Sequence, residues 1–162
     1  MNKKLTFIKV FSIATTICLL LSTSPKVFAA TAPTFTTKVF SNGSINNTPS
    51  TTQPDDITLM GGNIFIGRQN GVGSDGAPSK SGITNSTVQE FDKTGKLMTS
   101  WSIKGKCDGL TADVANNRII ATVNEDGNSS MYIINPSSAN AQPVTFVPVA
   151  GQTLPSGGTD SI

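Results

Sequence analysis

Apolar residues in this chain fall in short runs, and from Pro54 onward no run has helical spacing. Runs of four to eight residues broken by Gly, Asn and Asp predict strands joined by tight turns. Asn63-Ile64-Phe65-Ile66 predicts one strand, Thr87 to Phe91 a second and Lys96 to Ile103 a third. Between the last two, Asp92-Lys93-Thr94-Gly95 reads as a tight turn, with Gly95 suited to positive φ. Ile119 to Val123 and Met131 to Ile134 are nearly continuous apolar runs, the pattern of strands covered on both faces. Residues 30–53 are rich in Thr, Ser, Asn and Pro and predict a linker, with one strand candidate in Thr34 to Phe40.

The plan of residues 54–106 recurs. Pro54-Asp55-Asp56-Ile57-Thr58-Leu59 aligns with Cys107-Asp108-Gly109-Leu110-Thr111-Ala112, and Gly61 to Ile66 aligns with Asn116 to Ala121. Ser86 to Asp92 aligns with Ser129 to Asn135, and a third copy opens at Gly158-Thr159-Asp160-Ser161-Ile162. The anchoring aspartates Asp55, Asp108 and Asp160 are spaced 53 and 52 residues apart. A period near fifty with about four strands per unit predicts an all-β chain of β-propeller blades. The blades would span 54–106 and 107–157, with a third starting at 158–162. The competing fold is a β-sandwich, which has no reason to repeat an Asp-anchored unit. Propellers need about four blades or more, so the expectation is an N-terminal piece of a longer propeller.

Charge is informative only after the first 29 residues are set aside. Lys3, Lys4 and Lys9 precede or open the apolar stretch Val10 to Leu21, and Val27-Phe28-Ala29 presents small residues for cleavage. This is the pattern of an export signal, too short for the ~20 residues of a membrane span. Cleavage removes four lysines and no acid, so 8 basic residues face 10 acidic ones and the net charge becomes −2. The expectation is a secreted, extracellular protein with no membrane span after cleavage. Its surface gives nucleic acid no basic patch. The mature chain keeps Cys107 alone, which excludes an internal disulfide and reads as a small buried residue. There is no histidine, which removes Ser-His-Asp and Cys-His catalysis and His-ligated zinc.

Asn63 to Ile66, followed by Val88-Gln89-Glu90-Phe91-Asp92-Lys93-Thr94-Gly95-Lys96-Leu97, resembles blades of the NHL, gluconolactonase-like and YVTN-type propellers. Asp108 to Asp113, Thr122 to Gly127 and Gly157 to Asp160 are also similar to a group of uncharacterised exported bacterial propeller proteins. The resemblance covers roughly residues 54–162 and speaks for a fold, not a reaction.

Blade topology places Asp55 and Asp56 at one end with Gln69 and Asn70, and Asp108 with Asn124, Glu125 and Asp126. Asp55, Asp108, Glu125 and Asp160 are the candidate metal ligands; hard oxygens without imidazole suit calcium or magnesium. The resemblance to gluconolactonase-like propellers implies such a metal on the axis. The alternative role for each aspartate is to accept backbone N–H bonds at a turn. Asn124 to Asn128 lacks the glycine position and closing glutamate of an EF-hand, and Gly71 to Gly76 lacks the Gly-Lys-Ser/Thr ending of a phosphate loop. The long segment from Asn70 to Asn85, with Arg68 at its base, is the best candidate for ligand contact. Arg68, Gln69, Asn70 and Asn124 are therefore the candidate ligand-binding residues, and no catalytic residue can be named. The expected function is a non-catalytic binding module for an extracellular protein, glycan or cell-envelope ligand. The alternatives are a divalent-metal-dependent lactonase- or esterase-like hydrolase, and a structural surface repeat.

Overall fold

The computed structural model describes residues 34–40, 51–144 and 146–153. The signal segment, Asp160 and the start of the third copy lie outside the described residues. The chain divides into Met1–Thr37 and Lys38–Ile162. Of the first unit only residues 34–37 are described, exposed and without regular structure. The strand candidate over residues 34–40 therefore forms no strand.

Among its described residues the second unit is all-β, with one short 3-10 turn. Its first sheet is a meander of β1 (Pro54–Met60), β2 (Asn63–Arg68), β3 (Asn85–Phe91) and β4 (Leu97–Lys104). Its second repeats that order with β5 (Cys107–Asp113), β6 (Arg118–Val123), β7 (Ser130–Ile134) and β8 (Gln142–Val144). All six pairings are antiparallel. Register agrees between the copies: Ile57 faces Ile66 as Leu110 faces Ala121, and Ile64 faces Phe91 as Ile119 faces Ile134. Each first pairing is also interrupted near its start, at Pro54/Ile57 and at Cys107/Gly109.

Turn chemistry explains the hairpins. Asp92 Oδ1 accepts from the backbone N–H of Thr94 and Lys96 and from Thr94 Oγ1, and Gly95 takes φ 89°. In the second sheet Asn135 Oδ1 accepts from Ser137 N–H in the same place. At the end of the second strand of each sheet stands a left-handed asparagine, Asn70 (φ 57°) and Asn124 (φ 66°). Each uses Oδ1 to accept a backbone N–H from just before its sheet's first strand, from Thr52 and from Lys106. Each uses Nδ2 to donate to a carbonyl, of Asn85 and of Asn128. A side chain here does the work of a backbone turn.

The core lies between the sheets. Phe65, Val88, Trp101 and Ile103 from the first meet Leu110, Ile119, Ala121, Val123 and Ile134 from the second. Trp101 stacks on Phe65 with centroids 6.3 Å apart and donates Nε1–H to the Ser138 carbonyl at 2.8 Å. The sheets approach closely at Gly67, where an added Cβ would stand 3.0 Å from Cys107 Sγ. Polar bonds complete the junction. Asp56 Oδ2 accepts from Leu110 N–H at 2.6 Å, and Ser86 Oγ accepts from Cys107 N–H while donating to the Gly105 carbonyl. The strand β6 is wholly buried on its inner face and half-buried at Arg118 and Ile120, so its continuous apolar run is only partly covered on both sides.

Candidate functional site

The polar end of the unit is built where β2 and β6 finish and β5 begins. Lys106 precedes β5, and its Nζ lies 2.8 Å from Asp108 Oδ1 and in contact with Glu125 Oε1. Asp108 Oδ2 accepts from Glu125 N–H at 3.2 Å, and Gln69 Nε2 reaches Asp108 Oδ1 at 3.4 Å. Asp108 and Glu125 thus stand together, joined by Gln69 from the first sheet and by a participant that the motif reading passed over, Lys106.

That lysine decides the chemistry of the group. Burial pushes the Asp108 carboxyl up, against the hydrogen bond and charge of Lys106. Burial by itself would lower the Lys106 ammonium, but its bonds to Asp108 and Glu125 outweigh this and hold it above the ordinary lysine value. The two carboxylates already hold a monovalent cation from their own chain. A divalent metal among them would face the Lys106 charge at hydrogen-bond distance, so this set does not fit calcium or magnesium. Among the described residues no three His, Cys, Asp or Glu side chains converge on a metal position. Asp55 is exposed, and Asp56, not Asp55, ties the two first strands together.

The long loop between β2 and β3, residues 69–84, lies against the β6–β7 turn of the second sheet. Asp126 N–H donates to the Ser74 carbonyl at 3.1 Å, Asn128 Nδ2 to the Asp75 carbonyl at 3.1 Å, and Ser74 Oγ to Asp126 Oδ2. Gly76 and Gly105 pass the Asn124 side chain so closely that an added Cβ would stand 2.9 Å and 2.6 Å from it. The result is an open groove of ≈ 390 Å³ walled by Asp75 and Gly76 from the loop, Lys104 at the end of β4 with Gly105 after it, and Asn124, Asn128, Ser130 and Tyr132 from the second sheet. Tyr132 is fixed there by accepting the Lys104 N–H on its hydroxyl at 3.2 Å. A second cleft of ≈ 510 Å³ runs along the other side of the loop, by Asn70, Gly71 and Lys80.

The four ligand-binding candidates separate accordingly. Asn124 lines the first groove and Asn70 the second, both as turn-forming residues. Gln69 supports Asp108. Arg68 is buried, 5% exposed, and donates Nε–H to Gln89 Oε1 at 2.6 Å. Lys104 and Tyr132, which do line the groove, stand within strands and carry no motif; only the fold could reveal them. Cys107 is fully buried, and burial first, then the charge of Asp108, pushes its thiol up to about 12, which leaves it without nucleophilic thiolate at neutral pH.

No protein family, curated protein or solved structure matches this chain.

Proposed function

We propose that this chain is a secreted, non-catalytic binding module of propeller-type blades, and that it takes a hydroxyl-rich ligand of the glycan class in the groove at Tyr132. The observation that carries this reading is that the groove is walled by both repeats at once, with the loop of one pinned to the turn of the other. Its lining offers amide, hydroxyl, ammonium, carboxylate and aromatic groups, the inventory of recognition by hydrogen bonding and ring contact. The repeated four-strand meander with matched register supports the blade reading, as the export pattern supports an extracellular setting. The hydrolase alternative finds no support in Asp108 and Glu125, which are engaged with Lys106.

Saturation-transfer NMR of the full chain with a panel of purified oligosaccharides tests the proposal. The expected result is saturable binding to at least one of them, weakened about tenfold by Lys104→Gln or Tyr132→Phe, the worth of one hydrogen bond near 1.4 kcal/mol. No binding across the panel, or binding indifferent to both substitutions, overturns it.

A further inference from the structure

The groove at Tyr132 is lined by two opposite charges that the fold leaves unpaired. The amides in its wall are engaged in structure. Asn124 Oδ1 accepts the Lys106 N–H, Asn124 Nδ2 donates to the Asn128 carbonyl, and Asn128 Nδ2 donates to the Asp75 carbonyl. Other charges at this end of the unit have partners: Lys106 holds Asp108 and Glu125, and Asp126 accepts from Ser74 Oγ. Lys104 and Asp75 differ. Both line the groove and both are exposed. Neither makes an ion pair with the other or with any described residue.

The two charges stand on different walls. Lys104 closes β4, where its backbone is set from two sides, by pairing with Asn85 and by donating its N–H to the Tyr132 hydroxyl at 3.2 Å. That hydroxyl accepts from Lys104 and still has its own proton to give. An ammonium and a phenol O–H thus rise from adjoining positions, two donors for the two oxygens of one carboxylate. Asp75 belongs to the loop wall. Its Oδ1 accepts the Ala77 N–H at 2.8 Å, which seats the carboxylate in its turn and leaves the other oxygen without a partner among the described residues. An anionic ligand meets an attractive Lys104 and a repulsive Asp75, and a cationic ligand the reverse. Only a ligand that carries both signs pairs with both walls, and like-charge contact discriminates against the rest.

We infer that the groove selects a zwitterionic glycan, one that sets a uronate carboxylate on Lys104 and Tyr132 and a free amino-sugar ammonium on Asp75. This inference rests on the glycan reading of the groove and names the class of glycan it takes.

The probe is one tetrasaccharide of alternating glucuronate and N-acetylglucosamine in four forms. The unmodified form is anionic and the carboxyl-reduced form neutral. The N-deacetylated form carries both charges, and the form treated both ways is cationic. Each is titrated into the full-length chain by NMR at about pH 6, where the sugar carboxylate and amine are both charged. The doubly charged form should bind at least tenfold tighter than either singly charged one. Lys104→Gln should abolish the advantage given by the carboxylate and keep that given by the amine. Asp75→Asn, which retains an oxygen for the Ala77 N–H, should do the converse. Both positions are exposed, so the fold tolerates either change. Equal binding of the four forms overturns the inference and leaves the glycan reading standing, since a neutral sugar then binds as well. Tightest binding of a singly charged form overturns it, as does a preference for the doubly charged form that survives both substitutions. Failure of all four to bind overturns it too, and the neutral oligosaccharides of the wider panel then decide the glycan reading separately.

Discussion

Replacing Lys106 by methionine keeps the length of the side chain and deletes the cation shared by Asp108 and Glu125. The side chain of Asp108 is 2% exposed, that of Lys106 16% and that of Glu125 33%. Breaking a fully buried pair costs about 3–5 kcal/mol. Here Glu125 recovers hydration readily, and Asp108 keeps the Glu125 N–H and a long bond from Gln69. The expected loss is therefore smaller, about 2–3 kcal/mol at pH 7. Urea unfolding followed by the single tryptophan, buried Trp101, measures it. Asp108→Asn removes the stranded charge while retaining an oxygen for the Glu125 N–H. The double variant Lys106→Met/Asp108→Asn should recover at least half of the loss, a coupling of about 1–2 kcal/mol. The pH dependence carries a definite sign. The folded-state value of Asp108 is already raised by burial, and loss of the ammonium raises it further. The deficit of Lys106→Met is then fully present above that value and shrinks as pH falls through it toward about 4, the unfolded carboxylate range. At the other extreme Lys106 is raised in the folded parent. Its contribution is present below the unfolded lysine value near ~10.4 and is lost as pH rises through the folded one. The parent alone should lose stability there. A cost below about 0.5 kcal/mol, or a deficit that is flat with pH, would refute the claim that Lys106 neutralises a buried carboxylate.

Three further outcomes follow from the packing. Gly67→Ala places a Cβ 3.0 Å from Cys107 Sγ and should cost about 1–3 kcal/mol through overpacking, recovered in part by Cys107→Ala; an unchanged urea midpoint would show that the sheets are not in close contact there. Cys107 should resist iodoacetamide at pH 8 and react promptly in urea, since burial holds its thiol near 12; labelling of the folded chain at the unfolded rate contradicts the burial. Asp92→Ala should lower the melting temperature more at pH 7 than in acid, because the Thr94 and Lys96 hydrogen bonds depress the folded Asp92 value, and that contribution is lost as pH falls through it; a loss independent of pH would assign the Asp92 charge no role in the turn.

Local chemistry in the sequence determined the strands and their joins. The runs around Phe65, Val88 and Trp101 could bury only in a sheet, Asp92 to Gly95 could close only a tight hairpin, and the repeat fixed a common register for both meanders. Each of these depends on residues adjacent in the chain, or on a pattern repeated along it. What the tertiary structure decided is which side chain meets which. Lys106 stands two residues from Asp108 but nineteen from Glu125, and only the closing of β5 on β6 makes it their common cation. Asp55 and Asp56 are alike in sequence, yet the bulge at the start of β1 directs Asp56 to the Leu110 N–H and leaves Asp55 exposed. Arg68 reads as a loop-base contact until the register of β2 on β3 sets it beside Gln89. Lys104 and Tyr132 become groove residues only when the loop of one sheet folds onto the turn of the other. Hydrophobic periodicity assigns a residue to a face, but electrostatic and hydrogen-bond partners act within a few ångströms in space, and that proximity exists only once the two sheets have packed.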